Sequence, residues 1–201
     1  MITRPITAVV IHCSATEDGK WVSIEDIDRM HAEPLIDSKN GMVLRPHRMQ
    51  RSADWIARFN PKIKHCGYHR VIDRNGVVNP GRHYDEIGAH VQGSNAKSIG
   101  ICMIGTTKFN YQQWLSLKWT VIAIVRELVA RHLPKERIET TEDATDAAKR
   151  MGVTICGHRD FSPDKDGDGV IEPWEWMKTC PGFDVADWMR NDMKPLNEHQ
   201  S

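Results

Sequence analysis

Residues 111–133, YQQWLSLKWTVIAIVRELVARHL, constrain the fold of this chain more than any other stretch. Trp114, Leu117, Val121, Ile124, Val125 and Leu128 recur at spacings of three and four, so one apolar face runs along a long helix. Asn110 and Gln113 fit an N-cap with its reciprocal partner. Short β-branched runs, ITAVVIHCS (6–14), SIGICMIG (98–105) and GVTICGH (152–158), read as buried strands. YHRVIDRNGVVNPG (68–81) reads as a hairpin, because Asn75-Gly76 tolerates the positive φ of a tight turn. Residues 23–33 read as a helix capped by Ser23, with Glu25 and Asp26 in its acid-favouring first turn. A terminal helix is expected over 183–193, ahead of Pro195. Strands and helices interleave, which predicts an α/β fold with a mixed central β-sheet flanked by helices.

At 201 residues the chain suits one domain, 1–201, with a core of useful size. Its 27 basic and 27 acidic residues cancel, so no global field points to nucleic acid or a membrane surface. No apolar run approaches the ~20 residues needed to cross a bilayer, and the N-terminal run is too short for a secretory signal. Cysteines 13, 66, 102, 156 and 180 are odd in number and read as thiols. Residues 34–64 fit the plan less well. Within RPHRMQRSADWIARFNPKIKH (45–65), Arg45, Arg48, Arg51, Arg58, Lys62 and Lys64 face Asp54 alone, and the segment is expected to be a basic insertion, either a solvated helix and loop or a flap over an anionic substrate.

Two metal chemistries share residues 157–182. DKDGDGVIEPWE (164–175) fits the calcium-loop pattern at each key position. Asp164, Asp166 and Asp168 supply single oxygens, Gly169 the sharp turn and Val170 a carbonyl. Glu172 acts directly or through water, and Glu175 closes the loop with two oxygens. Ser162-Pro163 forbids an ordinary entering helix, while Pro173 suits the first turn of an exit helix, PWEWMK. A single unpaired loop predicts weak affinity, on the order of 10⁻⁴–10⁻³ M. Zinc catalysis, by contrast, needs three N, S or O ligands and an open position. His12 within the first strand, His158 at the end of another and Cys180 beyond the acidic loop are candidates. Each alone is a weak signal, since a strand-end histidine is more often structural than a ligand.

Five motifs in order, VVIHCSAT, CGYHRVIDRNGVV, GAHVQGSNAKSIGICMIG, GHRDFSP and KTCPGFD, resemble the zinc-dependent N-acetylmuramoyl-L-alanine amidases of the type 2 family. That family includes small phage lysozymes that are amidases, and the peptidoglycan recognition proteins. The resemblance spans the chain apart from about 34–64 and 161–177, and implies the fold of that family with the calcium loop inserted. It implies His12, His158 and Cys180 as zinc ligands, Tyr68 and Lys178 as the catalytic pair, and His90 and Asn95 as residues lining the substrate groove. The implied reaction is hydrolysis of the amide between the lactyl group of N-acetylmuramic acid and L-alanine, with zinc as cofactor and calcium as a second, stabilising or activating ion. The implied context is an endolysin: a monomer made in the host bacterial cytoplasm, acting on periplasmic peptidoglycan after release, with no nucleic-acid partner or membrane anchor. Rival expectations are a muropeptide-recycling amidase and a non-catalytic peptidoglycan-binding module.

Overall fold

The computed structural model describes residues 2–36, 41–45, 50–133 and 135–201. A five-stranded sheet carries the fold, in the order β5-β4-β6-β1-β7. Its strands are β1 (Ala8–Cys13), β4 (Arg70–Ile72), β5 (Val78–Pro80), β6 (Ser98–Met103) and β7 (Thr154–Gly157). β4, β6, β1 and β7 run parallel, and β5 closes one edge as the antiparallel partner of β4. The sheet is therefore mixed, as expected. Gly76 takes φ +77° in the β4–β5 turn, where the sequence asks for a residue free of a Cβ. A two-stranded ribbon, β2 (Leu35–Ile36) with β3 (Val43–Arg45), stands apart from this sheet.

Alternation along β1 decides which side chains go where. Val9, Ile11 and Cys13 join Ile99, Ile101 and Met103 against α3 (Tyr111–His132), whose Trp114, Leu117, Val121, Ile124, Val125 and Leu128 are all buried. Each such side chain contributes roughly 1.5–3 kcal/mol when fully buried. α4 (Thr141–Arg150) and α5 (Val185–Arg190) pack on the same core through Ala144, Ala147 and Trp188. The α3 start is doubly fixed: Asn110 Oδ1 accepts from Gln113 N at 3.0 Å, and Gln113 Oε1 accepts from Asn110 N at 3.2 Å. Gln113 Nε2 then donates to Ile104 O at 2.8 Å, tying the cap to the end of β6.

The opposite face is covered by α1 (Ile24–Ala32), which buries Ile24 and Ile27 against Val71, Cys102 and Ile104. Ser23 and Asp26 form a reciprocal capping box at its start. His12 points to this second face, away from α3.

Three expectations change. The stretch 173–178 forms turns instead of an exit helix, with Glu175 accepting from Glu172 N at 2.9 Å and from Lys165 N. The terminal helix α5 is confined to Val185–Arg190. In the basic segment, α2 (Ala53–Arg58) forms, but Arg51 is buried and is not offered to an anionic ligand. Its Nε lies 2.9 Å from Glu86 Oε2, and its remaining donors reach the carbonyls of Ile63, Phe59, Asn60 and Trp55. Arg82 Nη1 stands 3.6 Å from the same carboxylate. Arg58, Lys62 and Lys64 are exposed. Arg48 and the side chain of Arg45 lie outside the described residues.

Candidate metal centre and cleft

Ligands in parallel α/β sheets collect at the carboxyl ends of the strands, and here two strand ends supply donors. His12 is the penultimate residue of β1, and His158 follows β7 directly. Cys180 arrives from the far side of the acidic segment, held where Arg159 N donates to Cys180 O at 2.9 Å. The His12 and His158 ring centroids are 4.7 Å apart, and Cys180 Sγ is 3.7 Å from His12 Nδ1. Ligand atoms of all three residues lie within 4.8 Å of one another.

This donor set fits zinc. Metal–ligand bonds of about 2.0–2.3 Å in a tetrahedral site place N and S donors roughly 3–4 Å apart, so only a small contraction is required. Two imidazoles and one thiolate also match the ligand types that zinc prefers. Cys180 has one further neighbour, Cys13: Cys13 N donates to its Sγ at 3.3 Å, and the two thiols hydrogen-bond. That bond, followed by burial, pushes the Cys180 thiol up, while the same bond pulls Cys13 down. A coordinated cation reverses the order for Cys180, since a metal-bound thiol is deprotonated outright.

A cleft of about 490 Å³ opens over these groups. Tyr68, Lys178, His158 and Cys180 line it together with Met30, His31 and Glu33 of α1 and its C-terminal end. The Tyr68 ring centroid lies 5.0 Å from that of His12 and 5.1 Å from that of His31. His31 Nδ1 accepts from Gly67 N at 2.9 Å, so α1 fixes the backbone next to Tyr68. The sequence reading did not single out this α1 wall. Its signal was the position of His31, four residues after Ile27 on the buried face of α1.

His90 and Asn95, expected along the groove, are not among the residues lining the cleft. His90 is buried behind His12, with its Nδ1 3.0 Å from His12 Nε2. Asn95 Oδ1 accepts from His90 N at 2.7 Å and from Val91 N at 2.9 Å, holding that loop.

The acidic segment forms two overlapping carboxylate groups, Asp164–Asp166–Asp168 and Asp166–Glu172–Glu175. Asp164 accepts from Gly167 N at 2.6 Å and Gly169 N at 2.8 Å, and Gly169 takes φ +88°. The Gly169 and Gly167 amides hold the Asp164 carboxyl below its ordinary value. Burial and the nearby Asp168 push Glu172 up, and its Oε2 is buried with no hydrogen-bond partner among the described residues.

A family model described as N-acetylmuramoyl-L-alanine amidase matches residues 2–183. An uncharacterized protein of Haemophilus influenzae is 40% identical over 129 residues, covering 62% of this chain and 96% of that one. The endolysin of Klebsiella phage KP32 is 23% identical over 191 residues, covering 95% and 90%. Among solved structures, the N-acetylmuramoyl-L-alanine amidase LysC from Clostridium intestinale is similar, with a TM-score of 0.50. It is 18% identical and is covered over 85% of its length by 94% of this chain, a likeness of fold.

Proposed function

The chain belongs to the type 2 N-acetylmuramoyl-L-alanine amidase family, and from that premise we propose that it is a zinc-dependent endolysin that cuts the amide between the lactyl group of N-acetylmuramic acid and L-alanine in peptidoglycan. One observation carries this reading. The donors of His12, His158 and Cys180 converge within 4.8 Å beneath a cleft that Tyr68 and Lys178 also line. Zinc held there supplies Lewis acidity toward the scissile carbonyl and a nucleophile competent at neutral pH. The Tyr68 Oη–H and the Lys178 ammonium donate to the oxygen that gains charge as the carbonyl becomes tetrahedral. A donor of this kind is typically worth ~10²–10³ in rate. Tyr68 Oη is also our choice for the proton relay toward the leaving amine. The endolysin relatives support host-wall lysis as the role, with peptidoglycan as the partner.

We extend the reading to calcium in the 164–175 segment, held by Asp164, Asp166, Asp168, the Val170 carbonyl, Glu172 and Glu175. The motif supports it, as do the two carboxylate groups and the unpartnered Glu172 Oε2. The segment connects to the zinc ligands through short links. Met177 N donates to Ser162 Oγ at 3.0 Å, and the Arg159 guanidinium lies 4.2 Å from the Trp176 ring centroid. Arg159 directly follows His158 and holds the Cys180 carbonyl. Calcium that relieves the repulsion among these acids therefore orders the stretch that carries Lys178 and Cys180.

Mass spectrometry of digested Gram-negative sacculi tests the amidase. Free stem peptides beginning with L-alanine are expected beside unpeptidylated glycan. Intact lactyl-amide bonds, with zinc and calcium both supplied, overturn the reading and favour a binding module.

A further inference from the structure

Behind the candidate metal centre, the chain builds a closed slot for one more imidazole. His90 is only 4% exposed. A Cβ at Gly88 would meet its Cδ2 at 2.5 Å, and a Cβ at Gly100 would meet its Cγ at 2.6 Å, so only glycines leave room for the ring on both sides. Asn95 fixes the His90 backbone through the two bonds described above. Among the described residues, Nδ1 of the ring is 3.0 Å from His12 Nε2, and Nε2 is 3.4 Å from Ser98 Oγ.

The direction of each hydrogen bond follows from the far end of this row. Ser98 Oγ spends its only hydrogen on Ser94 O, at 2.8 Å. Toward His90, Ser98 is left with lone pairs alone, so His90 Nε2 must carry the proton that lies between them. A neutral imidazole protonated at Nε2 has an acceptor at Nδ1. His12 Nε2–H therefore donates to His90 Nδ1, and the lone pair of His12 resides on Nδ1. That nitrogen is the one facing Cys180 Sγ at 3.7 Å.

We propose that His90 is a positioning residue that locks His12 in the Nε2–H tautomer and aims its Nδ1 at the metal. The row runs from His12 through His90 and Ser98 to the Ser94 carbonyl. It orients the imidazole and raises the basicity of the ligating nitrogen, as outer-shell partners of metal-bound histidines do. His90 thus acts through His12 and touches neither substrate nor metal. The inference rests on the zinc reading above.

Competition against a chromophoric zinc chelator tests it in wild type and in His90→Leu, His90→Asn, Ser98→Ala and His158→Ala, with the melting temperature of each zinc-free protein recorded alongside. His90→Leu is expected to weaken zinc binding by about 10–100-fold. His90→Asn, which returns an acceptor near the Nδ1 position, should recover most of that loss. Ser98→Ala leaves the ring in place but releases its tautomer, and should show a smaller loss in the same direction. Nitrogen-15 spectra of the zinc-loaded wild type provide a readout that needs no variant and should place the His12 proton on Nε2. Wild-type affinity in His90→Leu, or a His12 proton on Nδ1, overturns the inference while a loss in His158→Ala keeps the zinc reading. Equal affinity across wild type, His158→Ala and His90→Leu overturns both.

Discussion

Tyr68 combines two properties that rarely coincide: its side chain is 5% exposed, yet it lines the cleft. Packing between the rings of His12 and His31 leaves it little freedom, so its hydroxyl needs no ordering when substrate arrives. Tyr68→Phe keeps the ring and removes only the donor. It should lower kcat about 10²–10³-fold, with zinc stoichiometry and melting temperature unchanged. An unaltered kcat would reduce Tyr68 to a wall residue. Lys178→Met should also lower kcat, and the two losses should combine less than multiplicatively if both groups donate to one oxygen. At this scale the sequence reveals residue identities better than roles. His12, His158 and Cys180 became a candidate ligand set only as parts of ordered motifs, and their convergence depends on strand pairing across more than a hundred residues. His90 illustrates the limit. Its neighbours Gly88 and Gly100 are separated from one another in sequence, so nothing local signals a slot between them.

The elements show why some stretches were legible and others were not. The α3 face repeats large apolar residues, and its cap pair Asn110–Gln113 forms as its spacing predicts. The sequence reading did not mark α4, although Thr140 and Asp143 form a capping box, because its buried face is built from threonine and alanines and carries no large apolar side chain. In 173–178, Pro173 and the following residues suggest a helix start, and Glu175 does accept from Glu172 N as an acid three residues after a cap would, yet the chain goes no further than turns. Capping boxes also carry a pH signature. Hydrogen bonds from the Ser23 amide and hydroxyl hold the Asp26 carboxyl below its ordinary value. Its folded pKa lies under the unfolded value of about 3.9, so its stabilisation is complete above that pH and is lost as pH falls through the folded value. Asp26→Ala should melt below wild type at neutral pH, and the gap should close at strongly acid pH. A gap of constant size across the titration would assign the effect to something other than the charge. The acidic segment makes a separate prediction. With affinity on the order of 10⁻⁴–10⁻³ M, about 5 mM calcium should add about 1–2 kcal/mol of stability. That should raise Tm by roughly 2–8 °C in a chain of this size. Asp166→Ala removes an oxygen shared by both carboxylate groups and should abolish the shift; a flat calcium titration in wild type would sink the calcium reading.

At the scale of the whole molecule, the 51–65 stretch is bound to the body by the buried Arg51 cation, by Asp28 of α1, which accepts from Lys64 N and His65 N, and by the His83 ring, against which Trp55 and Phe59 pack. Arg51 links Glu86, in the loop after β5, with four backbone carbonyls between Trp55 and Ile63, while Ile63 enters the core under α1. Composition alone placed this arginine in a solvated basic run, since charge counting does not reveal that Glu86 lies across the fold. A buried ion pair adds little over an apolar pair of similar shape, but removing one partner leaves an uncompensated charge and costs about 3–5 kcal/mol. Arg82 Nη1, at 3.6 Å, offsets part of that cost for Glu86 but does nothing for the carbonyls. Arg51→Met should therefore release the segment before the sheet unfolds. The expected signature is faster tryptic cleavage at the exposed Arg58, Lys62 and Lys64, under conditions where the β1–β6 core stays protected from hydrogen exchange. Glu86→Gln provides the complementary case, because it removes the charge yet retains an acceptor, and should loosen the segment less. Equal loss of protection in the segment and the sheet would make Arg51 a support of the entire domain instead. The cleft would then depend on this stretch, since Cys66 and Tyr68 continue directly from it into β4.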